Sequence, residues 1–227
     1  MMKRRSWISL LLIVGALVVS VADGAAAPAG RVVGVVALLG EDGKPVKDRS
    51  GAIISLHGTG IGVPDQSGEV YAIHQRNKQF VPQQLVVMKG ATIAFPNDDR
   101  IDHNVFSLSR VLRFDLGLYR SGTSKELVAK RAGVIDVFCN IHAEMSAKIL
   151  VLDTPFYAAT DAQGRYEIRG VPPGRYTLEV WHPRGKASKA EIVVDGSKAT
   201  QKSWRVQLGD APRRHLRKNG TPYGKYR

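Results

Sequence analysis

The chain has 227 residues, 33 Lys or Arg against 20 Asp or Glu, and a formal net charge of +13. Its single cysteine excludes an internal disulfide, a c-type haem held through Cys-x-x-Cys-His, and a binuclear copper centre bridged by two cysteines. The excess charge lies late: residues 154–227 carry 15 basic and 6 acidic groups, read as a solvated surface that meets an anionic membrane or acidic partner, with no nucleic acid expected.

Lys3, Arg4 and Arg5 precede an apolar run of 16 residues, 7–22, and then Ala25, Ala26 and Ala27. This is the order of a signal peptide over residues 1–27, with the cut placed approximately. A membrane anchor needs about 20 apolar residues, so the expectation is cleavage and a periplasmic or secreted protein. No second apolar run follows, and no membrane span is expected after cleavage.

From residue 31 to 208 short runs of Val, Ile, Phe and Tyr alternate with Gly, Pro, Asn and Asp clusters. That pattern predicts an all-β chain. In order, strands are predicted over 32–39, 52–57, 85–88, 92–95, 104–108, 134–139 and 148–152. Five more follow at 156–160, 166–169, 175–181, 190–194 and 202–207. Residues 121–131 are expected to be irregular or extended.

Chemistry concentrates in the middle. The strand 134–139 places Ile135, Val137 and Cys139 on one face by its period of two. Cys139-Asn-Ile-His142-Ala-Glu-Met145 then forms a short loop, and His103-Asn104-Val105 opens a strand 36 residues before the cysteine. One thiolate, two imidazoles and one thioether make the ligand set of a mononuclear blue copper site, with Met in the weak axial place. Zinc is the competing metal, but it prefers Cys, His or carboxylate to a thioether. An exported lone cysteine is either a liability or a ligand, and the spacing of His142 and Met145 favours a ligand. His57, His74 and His182 are read as structural or surface residues. No Ser-His-Asp arrangement, carboxylate pair or phosphate-binding Gly loop stands out, so no enzymatic role is expected.

Cys-x-x-His-x-x-Met, the distant His-Asn-Val, and the approach Gly90-Ala-Thr-Ile-Ala-Phe95-Pro-Asn97 together resemble the plastocyanin/amicyanin-like blue copper proteins, the cupredoxins. The likeness extends to secreted cupredoxins labelled as methylamine-utilisation proteins. It implies a Greek-key sandwich over 67–153 holding one copper ion through His103, Cys139, His142 and Met145. It also implies that Asn104 hydrogen-bonds to the Cys loop. His142 becomes the exit for the electron, with Ile141, Ala143 and Glu144 as the docking surface around it.

Thr160-Asp161-Ala-Gln-Gly164-Arg-Tyr166 followed by Val171-Pro-Pro-Gly174-Arg-Tyr176 resembles a second family, the carboxypeptidase regulatory-like or transthyretin-like sandwich. Asp-x-x-Gly and Pro-Pro-Gly are tight turns between alternating strands. Residues 154–207 are too few for that module, and 31–66 resemble its opening strands. The expected architecture is a second, smaller β-sandwich split around an inserted copper domain; two serial domains are the alternative. Residues 208–227 are expected to be a disordered basic tail, with His215 no ligand. The expected function is one-electron carriage with a transient redox protein partner. The alternatives are a copper chaperone or store without redox turnover, and an adhesion or scaffold module with an accessory copper site.

Overall fold

The computed structural model describes residues 29–210 and 214–223. The expected signal peptide therefore lies outside the described residues. Among them there is no helix, and the chain is all-β.

Two strands open it, β1 (Gly30–Leu39) and β2 (Ile53–His57). The middle holds β3 (Val70–Ala72), β4 (His74–Arg76), β5 (Gln79–Val81), β6 (Gln84–Met88) and β7 (Thr92–Pro96). It continues through β8 (His103–Leu108), β9 (Arg113–Tyr119), β10 (Ser124–Val128), β11 (Gly133–Phe138) and β12 (Ser146–Leu152). The chain closes with β13 (Tyr157–Ala159), β14 (Arg165–Val171), β15 (Gly174–Trp181), β16 (Ser188–Val194), β17 (Ala199–Gln201) and β18 (Trp204–Gln207).

The middle strands build a sandwich. One sheet has the order β6-β12-β11-β8-β9 and the facing one β10-β7-β3, with β4 and β5 as a hairpin beside them. Alternation puts Ile135 and Val137 of β11 and Ala147, Ile149 and Val151 of β12 into one core with Ile93, Phe95 and Val105. Cys139 and Met145 are buried at one end of that core.

Strands from both ends of the sequence pair with one another. β1 lies antiparallel to β14 and parallel to β17 and β18, while β2 pairs with β13 and β15. Val32, Val36, Leu38, Ala52, Ile54 and Leu56 share a core with Tyr166, Ile168, Leu178 and Val180. The Asp161 turn joins the two pieces. Gly164 sits at φ +78°, and a Cβ there would meet the Val36 carbonyl at 2.2 Å. Its own carbonyl accepts the Val36 N–H at 2.7 Å. A bare glycine is therefore required both by dihedral and by space.

β12 is apolar on both faces. Leu150 and Leu152 turn away from the middle core and pack with Ile53 and Trp181 in a separate cluster. This cluster is the seam between the sandwiches.

Several short strands escape the sequence reading. β9 is an edge strand with Leu118 57% exposed, so it lacks the alternation that a buried face imposes. The β4–β5 hairpin is only three residues a side and turns at Asn77 and Lys78, whose φ values are +53° and +56°. Asn tolerates that region; Lys gives no such signal.

Candidate metal centre

β8 begins at His103 and β11 ends just before Cys139. The two strands are neighbours in the five-stranded sheet and meet at Phe106 and Phe138. The loop after Cys139 closes on itself: the Cys139 N–H donates to the Met145 carbonyl, and the Met145 N–H to the His142 carbonyl, each at 3.2 Å. His142 is thereby folded back over the sulfur. Cys139 Sγ lies 3.6 Å from His142 Nδ1 and 3.9 Å from His103 Nδ1, and the two Nδ1 atoms are 3.1 Å apart. The donor atoms of His103, Cys139 and His142 all lie within 4.8 Å of one another. His103 and Cys139 are fully buried, and His142 is half-buried.

Burial pushes the Cys139 thiol above its usual pKa, and the N–H groups of Ile141, Asn104 and His142 pull it back. A thiolate in such a place needs a positive charge beside it. Burial also lowers the His142 pKa, helped by the charges of His103 and Lys78 and opposed by Asp99 and Glu144. The net direction favours the neutral ring, the form that can ligate a metal. One soft sulfur and two imidazoles fit copper.

Asn104 ties the two ligand segments. Its Oδ1 accepts the Asn140 N–H at 3.3 Å, and its Nδ2 donates to Asp115 Oδ1 at 2.7 Å. Met145 is fully buried beside Cys139 in the core. Ala143, expected on the docking surface, is also fully buried and has no part in one. Ile141 is half-buried against the core, and Glu144 is exposed and paired with Arg214 at 3.2 Å.

Asp99 is absent from the sequence-based site. His103 Nε2 lies 2.7 Å from Asp99 Oδ2. The Asp99 carboxylate also accepts the backbone N–H groups of Asn77 at 2.5 Å and Lys78 at 2.8 Å. Burial raises its pKa, but the Lys78 N–H, the His103 ring and the Asn77 N–H together hold it below the ordinary carboxylate value. The β4–β5 turn thus fixes a carboxylate that fixes the His103 ring, leaving Nδ1 toward the sulfur. The only sequence hint is an acidic group four residues before the histidine. Such partners govern ligand orientation, and Asp99→Ala is expected to weaken copper binding about 10–100-fold. Competition with a chelator of known affinity measures this, and unchanged affinity refutes the role.

The other histidines sit elsewhere. His74 Nδ1 is 2.7 Å from Asp98 Oδ2, and His182 Nδ1 accepts the Arg184 N–H. His57 lies in a chain of polar groups with no sequence signature: Ser55 Oγ is 2.8 Å from His57 Nε2, and His57 Nδ1 is 3.1 Å from Asp153 Oδ1. Ser55 is only 4% exposed, and its strand is paired on both sides. The disordered tail expected over 208–227 also fails for residues 214–223, which pack against the loop that carries Cys139 and His142. Leu216, Pro222 and Tyr223 are the apolar signal among the charges.

Comparison with known proteins adds two likenesses. Residues 145–208 match the model of the carboxypeptidase regulatory-like domain. That match starts at Met145, and so takes in β12 as well as the closing strands. Among solved structures, a reduced amicyanin variant is 18% identical over 44% of this chain and 98% of its own, with a TM-score of 0.36. A purple cupredoxin from Nitrosopumilus maritimus is 22% identical over 36% of this chain and 98% of its own, with a TM-score of 0.34. A copper-containing nitrite reductase from Thermus scotoductus is 20% identical over 36% of this chain and 22% of its own, with a TM-score of 0.34. A comparison with curated protein sequences finds no match.

Proposed function

We propose that this protein is an exported single-copper electron carrier and not an enzyme. The observation that carries the proposal is the convergence of His103, Cys139 and His142 at the buried end of a sandwich. Met145, returned beside Cys139 by the two hydrogen bonds of the loop, would add its thioether as a fourth, weak donor. Copper held by a thiolate and two imidazoles takes up and releases one electron. The protein's part is to hold the donors still: Asp99 orients one ring, and Asn104 joins the strand of that ring to the loop.

His142 is the natural exit, because it alone of the three reaches the surface. Ile141 and Glu144 flank it, one apolar and one charged. Such a patch suits a transient redox protein partner, which needs a small interface and fast release. Residues 1–27 are assigned as the export signal, and the protein to the periplasm or outside.

Addition of Cu(II) to the mature protein tests the proposal. One copper per chain, an intense thiolate-to-copper absorption band and a matching electron-paramagnetic-resonance signal are expected. A colourless protein overturns it. Met145→Leu is expected to keep the copper and raise the reduction potential, since the lost thioether donor favours the oxidised ion. Voltammetry decides this, and an unchanged or lower potential removes Met145 from the axial place.

A further inference from the structure

The segment 214–223 makes a turn of its own. The Arg217 N–H donates to the Thr221 carbonyl at 2.9 Å, and the Gly220 N–H to the Arg217 carbonyl at 2.8 Å. Both arms of the turn then reach the ligand loop. On one arm the His215 N–H donates to the Ala143 carbonyl at 3.1 Å, and Arg214 pairs with Glu144. At the tip the Lys218 N–H donates to Asn140 Oδ1 at 2.9 Å, while the Lys218 ammonium meets Asp115. On the other arm Tyr223 Oη donates to the Cys139 carbonyl at 2.5 Å.

Rings lock the two arms together. The His215 ring lies 4.6 Å from that of Phe138, the residue before the cysteine, and 5.3 Å from that of Tyr223 at 85°. Arg217 sits 5.0 Å over the Tyr223 ring.

These contacts fall in a pattern. Tyr223 holds the carbonyl of Cys139 itself. His215 holds Ala143, the neighbour of His142. Lys218 holds Asp115, which holds Asn104, the neighbour of His103. The segment thus holds Cys139 directly, His142 through the adjacent Ala143, and His103 at one remove through Asp115 and Asn104. Opening of the loop 139–145 would break these bonds.

We propose that residues 214–223 are a clamp on the metal loop, with Tyr223 and His215 as positioning residues that set the rate of metal release. The clamp rests on the copper reading above. The clamp also favours the loaded state at equilibrium, and by linkage of binding free energies copper fastens the clamp by the same amount.

The test uses the full-length mature protein loaded with Cu(II), with transfer to excess EDTA followed at the thiolate band. Tyr223→Phe keeps the ring and removes the hydroxyl that bonds to the Cys139 carbonyl, and its release is expected about tenfold faster. His215→Ala removes the ring packed between Phe138 and Tyr223 and is expected to be faster than wild type as well. Tyr157→Phe, at an exposed tyrosine elsewhere, should release at the wild-type rate. Because the donors are untouched, the band itself should keep its position in every variant. Should His215→Ala fail to fold, the wild type still carries a second readout. Trypsin should cut after Arg217 and Lys218 more slowly in the copper-loaded protein than in the metal-free one. Wild-type release by Tyr223→Phe, or cleavage indifferent to copper, overturns the clamp alone. A wild type that shows no band overturns the copper reading and the clamp with it.

Discussion

Cys139→Ser is expected to abolish the thiolate-to-copper band completely. The serine hydroxyl stays protonated at neutral pH, and its oxygen is a hard donor, so neither the soft bond nor its charge-transfer transition survives. The site around it changes little in shape. The N–H groups of Ile141, Asn104 and His142 that face the sulfur can also meet a hydroxyl, so the metal-free fold is expected to be retained, which thermal unfolding of the metal-free forms measures. Loss of colour with the fold retained assigns the band to Cys139. Retention of the band removes Cys139 from the site and takes the electron-transfer proposal with it.

The second large effect concerns the segment that matches the carboxypeptidase regulatory-like model. Residues 145–208 expressed alone are expected not to fold. Their core lacks Val32, Val36, Leu38, Ile54 and Leu56, all 0–1% exposed in the whole chain. At about 1.5–3 kcal/mol each, these five side chains contribute roughly as much as the whole stability of a small domain, about 5–15 kcal/mol. β14 and β15 would also lose their partners β1 and β2 and present open edges. A polypeptide joining 29–66 to 154–208 through a short flexible linker restores both and is expected to unfold cooperatively. Circular dichroism against denaturant compares the two. A cooperative transition in 145–208 alone refutes the inserted-domain proposal.

Much of the fold and of the metal centre is legible in the amino-acid sequence. The strand that ends in Cys139 alternates cleanly because one face is buried, and the ligand spacing is short enough to be read as a unit. The Asp161 and Pro172 turns announce their strands by residue type alone. Other features leave no such trace. Asp99 acts through a bond to the far nitrogen of His103 and through a turn 22 residues earlier, and no local pattern encodes that. Residues 214–223 resemble a disordered tail because their composition is basic and poor in aliphatics. Their order comes from hydrogen bonds to loop carbonyls and from contacts of the His215 ring with those of Phe138 and Tyr223, which hydrophobic periodicity does not register. Ala143 neighbours a ligand that reaches the surface, which suggests exposure, yet it is fully buried.

β12 has an implication for how such a chain evolves. Ala147, Ile149 and Val151 answer to one core, and Leu150 and Leu152 to the seam. A gene rearrangement that exchanged the second sandwich for another would leave two leucines facing a stranger. One that exchanged the copper sandwich would take away the surface on which Ile53 and Trp181 rest. The two halves are therefore poor candidates for shuffling as separate modules. A substitution at Leu150 or Leu152 has to be accommodated by Ile53, about a hundred residues before it, and by Trp181, about thirty after.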